Sequence, residues 1–133
     1  MNIAEEKLLD YLKKEQVDAF YVHSPLNVRY ICKYSGGDAY LLVLKNKRYL
    51  LTDPRCLEHA QSECPEYECV DWRPYGSIAS CLGEIVKKEN ISKLGVLPVK
   101  RTIKNNKFCI VSQVLAGDIF RLLLYIDYDI PLV

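Results

Sequence analysis

The chain has 133 residues, 50% hydrophobic and 26% charged, a mix that suits one globular domain and excludes a disordered or fibrous chain. Eighteen Lys and Arg against seventeen Asp and Glu leave a net charge of +1. No whole-molecule field therefore exists to gather nucleic acid or an anionic membrane, and neither is expected as a partner.

The amino-terminal Met-Asn-Ile-Ala-Glu-Glu-Lys lacks the basic and apolar regions of a signal peptide. Apolar runs such as 41–44 and 122–126 fall far short of the roughly 20 residues that span a bilayer. The expected location is the cytoplasm. Six cysteines without a Cys-x-x-Cys pair then read as reduced, largely buried thiols.

Residues 3–16 place Leu8, Leu9 and Leu12 on one side and Glu5, Glu6, Lys13 and Lys14 largely opposite, which predicts an amphipathic helix. Asn2 stands where it would cap that helix, with Glu5 three places on. Residues 18–23 read as a first strand. Pro25 suits the first turn of a short helix, where its missing N–H costs nothing.

Gly36-Gly37-Asp38 breaks the backbone before an unbroken apolar run, 39–44, typical of a strand buried on both faces. A tight turn at Asn46-Lys47 leads into 48–53, giving a β-hairpin. Asp53-Pro54 is a capping residue followed by a first-turn proline, and the helix it starts ends near Cys64-Pro65. A strand at 67–72, a helix at 76–90 and a short strand at 93–97 follow. A helix over 108–115 and a last strand over 119–126 complete the pattern. Alternating strands and helices predict a layered α/β domain, and the hairpin makes its sheet mixed.

Two segments carry a resemblance. Ser24, Pro25, Asn27, Tyr30, Tyr34 and Gly36, with Arg29 as a common variant, match one motif. Leu50, Thr52, Asp53, Arg55 and Ala60 match a second at the appropriate separation. Together they resemble the N-terminal domain of the creatinase, prolidase and aminopeptidase P family, the pita-bread metallopeptidases, over about residues 5–97. The departures are Lys33 in place of glycine, Cys56 of tyrosine, His59 of glutamine and Leu97 of glutamate.

The resemblance implies a three-layer α/β sandwich with a mixed sheet, of the ribonuclease H-like kind, filling residues 1–133 as a single domain. It also implies that the catalytic pita-bread domain is absent from this chain. In whole enzymes of the family, two Asp, one His and two Glu of that domain hold two divalent metals (Mn, Co or Zn) that activate water. No catalytic residue, metal ligand or cofactor is therefore expected in these 133 residues.

The implied role is the non-catalytic part of an Xaa-Pro dipeptidase or aminopeptidase P-like hydrolase. Its implied partners are a second copy, its own catalytic domain and short Xaa-Pro peptides. The alternative is a stand-alone peptide- or protein-binding module on the same fold. Relatives place a loop at a neighbouring subunit's active site, and the matching residues here are Tyr34, Gly36, Gly37, Asp38 and Tyr40. Asp38 would meet a free amine there. Pro25, Asn27, Arg29, Tyr30, Thr52, Asp53 and Arg55 are expected to be structural, through turns, helix caps and a tyrosine with one polar end.

Other constellations are weaker. His23 and Ser24 adjoin, but neighbours on a strand face opposite sides and no nucleophile elbow surrounds them. Cys56, His59, Cys64 and Cys69 are soft ligands within fourteen residues, yet without the tight pairs of a zinc module. Lys100, Arg101, Lys104 and Lys107 form a basic cluster without interleaved aromatics. Gly36-Gly37 precedes a strand, whereas phosphate-binding glycines precede a helix.

Overall fold

The computed structural model describes residues 3–23, 25–97 and 114–115. In chain order these form α1 (Ile3–Glu15), β1 (Ala19–Val22), α2 (Pro25–Cys32), β2 (Tyr40–Leu44), β3 (Arg48–Thr52), α3 (Pro54–Glu63), β4 (Glu68–Asp71), α4 (Ile78–Lys88), β5 (Lys93–Leu97) and β6 (Val114–Leu115). A 3-10 turn, Arg73–Tyr75, precedes α4.

The strands form one mixed sheet in the order β4-β3-β2-β1-β5-β6. β1, β2 and β3 run antiparallel in turn, and the β2–β3 connection is the three residues Lys45, Asn46 and Lys47, closed by the Leu44 N–H donating to the Lys47 carbonyl. β3–β4 and β1–β5 are parallel, as a strand–helix–strand crossover requires. Asp18 pins the β1–β5 pair at its start, accepting from the Ser92 N–H, the Ser92 hydroxyl and the Lys93 N–H at 2.8–3.0 Å.

The period of two along each strand builds two cores. Phe20, Val22, Leu41, Val43 and Leu50 face one side, where they bury Leu8 and Leu12 of α1, Val28 and Ile31 of α2 and Ala60 of α3. Ala19, Tyr21, Leu42, Leu44, Tyr49 and Leu51 face the other, against Cys81, Leu82, Ile85 and Val86 of α4. Helices on both faces explain why β1 is apolar and buried at every position rather than alternating. The result is the expected three-layer α/β sandwich.

Several expectations need correction. Glu5 does not face solvent: it is 3% exposed and forms an ion pair with Arg48 of β3. The second long helix starts at Ile78 with Ser77 as its cap, since Trp72–Gly76 is taken up by the 3-10 turn. Val114 and Leu115, expected to end a helix, instead pair antiparallel with Lys93 and Leu94. There an open sheet edge supplies backbone partners that helical periodicity cannot register. The rest of that helix, the strand over 119–126, the Asn2 cap and the 100–107 basic cluster lie outside the described residues.

Candidate functional site

The residues named from sequence gather around the connection between α2 and β2. After Cys32, Lys33 takes the left-handed conformation (φ 66°) and its N–H returns to the Arg29 carbonyl at 2.9 Å, ending the helix. A left-handed position at a helix end favours glycine, and here lysine occupies it. Tyr34 then drops into the first core, 1% exposed. Gly36 passes directly over its ring, so close that a Cβ there would stand 2.2 Å from the Tyr34 hydroxyl oxygen.

Neither Gly36 nor Gly37 adopts a positive φ; Asp38 does, at 51°. Gly36 is required for close approach, and Gly37 stands over open space. Ala39 returns to the core and Tyr40 opens β2, half-buried. Tyr40 stacks on Tyr21 (centroids 6.5 Å apart, 20° between planes) and meets the His23 ring at 5.0 Å.

One side of the loop is held by the junction of β3 and α3. The buried Thr52 donates its hydroxyl to the Asp38 carbonyl at 3.0 Å. Asp53 caps α3 by accepting the Arg55 N–H at 2.9 Å, and its carboxylate also binds the Arg55 guanidinium at 2.8 Å. Those Arg55 side-chain hydrogen bonds hold the Asp53 carboxyl below its ordinary value. The same guanidinium lies 3.6 Å from the Asp38 carboxylate, and both side chains are more than two-thirds exposed.

The far end of α3 holds the other side. Glu63 accepts the Ser35 N–H at 2.9 Å and the Ser35 hydroxyl at 2.8 Å, and His59 Nε2 lies 2.9 Å from the same carboxylate. The Ser35 backbone N–H, then its hydroxyl, hold the Glu63 carboxyl below its ordinary value. Burial pushes the Tyr34 phenol up, with the adjacent Cys56 thiol adding to the shift. Its hydroxyl has no oxygen or nitrogen partner among the described residues.

Ser35, His59 and Glu63 do not make a catalytic triad. In a working triad the acid orients one imidazole nitrogen while the serine uses the other. Here serine and glutamate approach the same Nε2, and the serine hydroxyl is already committed to the glutamate.

The other named residues are scattered. Pro25 and Arg29 are exposed on α2, Asn27 is 1% exposed within it, and Tyr30 is half-buried with the Lys33 ammonium 5.6 Å from its ring. Cys56, His59, Cys64 and Cys69 do not converge. Cys64 turns to the Cys32 carbonyl, Cys69 to the Tyr67 carbonyl and His59 to Glu63. Among the described residues no three His, Cys, Asp or Glu side chains could hold a metal.

Sequence reasoning missed Glu63 and the contacts His59 makes with it and with Ser35. The four-residue spacing that puts both on one helix face was legible, but nothing in it pointed to a loop some 24 positions earlier. A cleft of about 310 Å³ between β3, β4 and α4, lined by Tyr49, Glu68, Val70, Tyr75, Glu84, Ile85 and Lys88, contains none of the residues named from sequence.

A family model described as the Creatinase/Prolidase N-terminal domain matches residues 6–102. Among solved structures, the chain is similar to an Xaa-Pro dipeptidase from Bacillus anthracis (TM-score 0.67, 24% identity, 77% of this chain and 28% of that one). It is similar to the N-terminal domain of cytoplasmic peptidase PepQ from Mycobacterium tuberculosis H37Rv (TM-score 0.64, 27% identity, 73% and 74% covered). A third is an aminopeptidase P, Xaa-Pro aminopeptidase, from Streptococcus thermophilus (TM-score 0.64, 18% identity, 96% and 88% covered). The chain thus spans less than a third of the Bacillus anthracis enzyme. No curated protein matches it by sequence.

Proposed function

The chain belongs to the creatinase/prolidase N-terminal domain family, and we propose that it is the non-catalytic part of an Xaa-Pro metallopeptidase whose 34–40 loop gates the active site. In this reading the chemistry belongs to a catalytic domain holding two divalent metal ions, and this domain contributes dimer contacts and controls substrate access. The compartment we propose is the cytoplasm, that of the peptidase PepQ whose N-terminal domain it resembles.

The observation that carries the reading is the shape of the loop. Its Tyr34 root is buried, one leg is tied to Glu63 of α3 and the other to Thr52 of β3, while Gly37 and Asp38 are left exposed at its tip. A fixed loop with a bare glycine and an exposed carboxylate suits close approach to a small peptide carrying a free ammonium. Arg55 beside Asp38 keeps that carboxylate oriented without burying it.

The test is kinetic. In the peptidase carrying this domain, Asp38→Ala and Tyr40→Ala should each raise KM for an Xaa-Pro dipeptide about three- to tenfold, the loss of one charged or packing contact. Unchanged kinetics in both variants would overturn the gate. Binding of an Xaa-Pro peptide by the 133-residue chain alone would favour the stand-alone module.

A further inference from the structure

The ten-residue helix α3 and the β3 residue just before its cap hold the two legs of the same loop. Where β3 runs into the helix, Thr52 donates its hydroxyl to the Asp38 carbonyl and Arg55, in the first turn, faces the Asp38 carboxylate. At its carboxy end, one Glu63 carboxylate receives the Ser35 N–H, the Ser35 hydroxyl and His59 Nε2. Between the two anchors the loop rests on Tyr34, whose ring in turn meets the His59 imidazole at 5.2 Å.

We propose that Glu63, steadied by His59, is the positioning residue of the 34–40 loop: it clamps Ser35, so that α3 sets where Gly37 and Asp38 stand. The proposal rests on reading that loop as a gate, and adds what controls it.

An exposed ion pair alone would do little, because water screens it and two long side chains must be ordered. Glu63 differs in what it binds. One of its partners is a backbone N–H, which carries the main chain with it, and the hydroxyl of the same residue adds a second hold. His59, one helical turn back, limits the rotamers open to the carboxylate. A movement of the C-terminal end of α3 would therefore be passed to Ser35, and on through Gly36 to the exposed tip.

Amide hydrogen exchange on the 133-residue chain tests the clamp. Glu63→Ala should speed exchange at Ser35 about tenfold, as loss of a charge-assisted hydrogen bond implies, while amides of β2 and β3 keep their wild-type rates. Glu63→Gln, which retains an acceptor oxygen, should recover part of the protection. An unchanged Ser35 rate in Glu63→Ala overturns the proposal.

Should Glu63→Ala also loosen the strands, Ser35→Ala decides the matter. It keeps the backbone bond and removes only the hydroxyl, so a rise at residue 35 well below that of Glu63→Ala supports the clamp and one as large overturns it. In the intact peptidase, faster exchange at Ser35 with unchanged KM leaves the clamp standing and overturns the gate instead.

Discussion

A Cβ built on Gly36 would stand 2.2 Å from the Tyr34 hydroxyl oxygen and 2.4 Å from Cζ of the same ring, inside any tolerable contact. The ring cannot swing away freely, because Tyr34 is buried among the residues of the first core. Gly36→Ala should therefore cost about 1–3 kcal/mol, the range for overpacking, seen as a lower urea midpoint with an unchanged slope. Gly37→Ala is the control, since its Cβ would meet nothing within 4 Å. Sequence placed both glycines in a loop before a strand but could not tell them apart. The difference lies in a side chain two positions earlier that only the folded core aims at Gly36.

At the scale of elements, α3 was the most legible. Asp53-Pro54 announced its start, and Asp53 does cap it, with Pro54 at the first turn. The cap has a pH signature. Asp53 is held below its ordinary value of 3.8 by Arg55, so its contribution to stability is full above 3.8 and is lost as pH falls through the lowered folded value. Asp53→Asn keeps a capping oxygen but no titrating charge. Its stability should be lower than wild type at neutral pH and should fall less steeply into the acid range, measured by thermal unfolding across pH. A difference between the two curves that does not change with pH would contradict this assignment. The 76–90 helix was also readable, though its first turn was not. There Arg73–Tyr75 winds as a 3-10 turn and Ser77 becomes the cap.

Across the whole molecule, the Glu5–Arg48 pair joins the first helix to the central hairpin. Glu5 is almost fully buried and Arg48 about one-fifth exposed, with its guanidinium over the Tyr67 ring at 5.4 Å. Removing one partner of a fully buried pair costs about 3–5 kcal/mol; the partial exposure of Arg48 brings the expectation for Glu5→Gln to about 2 kcal/mol. Chemical denaturation reads it directly, and a loss below about 0.5 kcal/mol, the level of a surface pair, would show the contact to be incidental. Helical periodicity assigned Glu5 to solvent because charge usually lies there, and no local pattern reveals a basic partner 43 residues away.

The order of elements from α1 to β5, the mixed sheet and the three layers were determined by the sequence itself. Apolar runs of strand length, first-turn prolines and amphipathic spacing are local quantities, and their alternation admits few packings. The two motifs carried the family as well. Tertiary structure decided what depends on distant side chains meeting: Glu5 turned inward to Arg48, Gly36 seated on Tyr34, and Ser35 held by His59 and Glu63. It also dispersed the four soft ligands that proximity in sequence had grouped. The reason is the same in each case: a helix or strand fixes the direction of a side chain, but only the docking of elements brings its partner there.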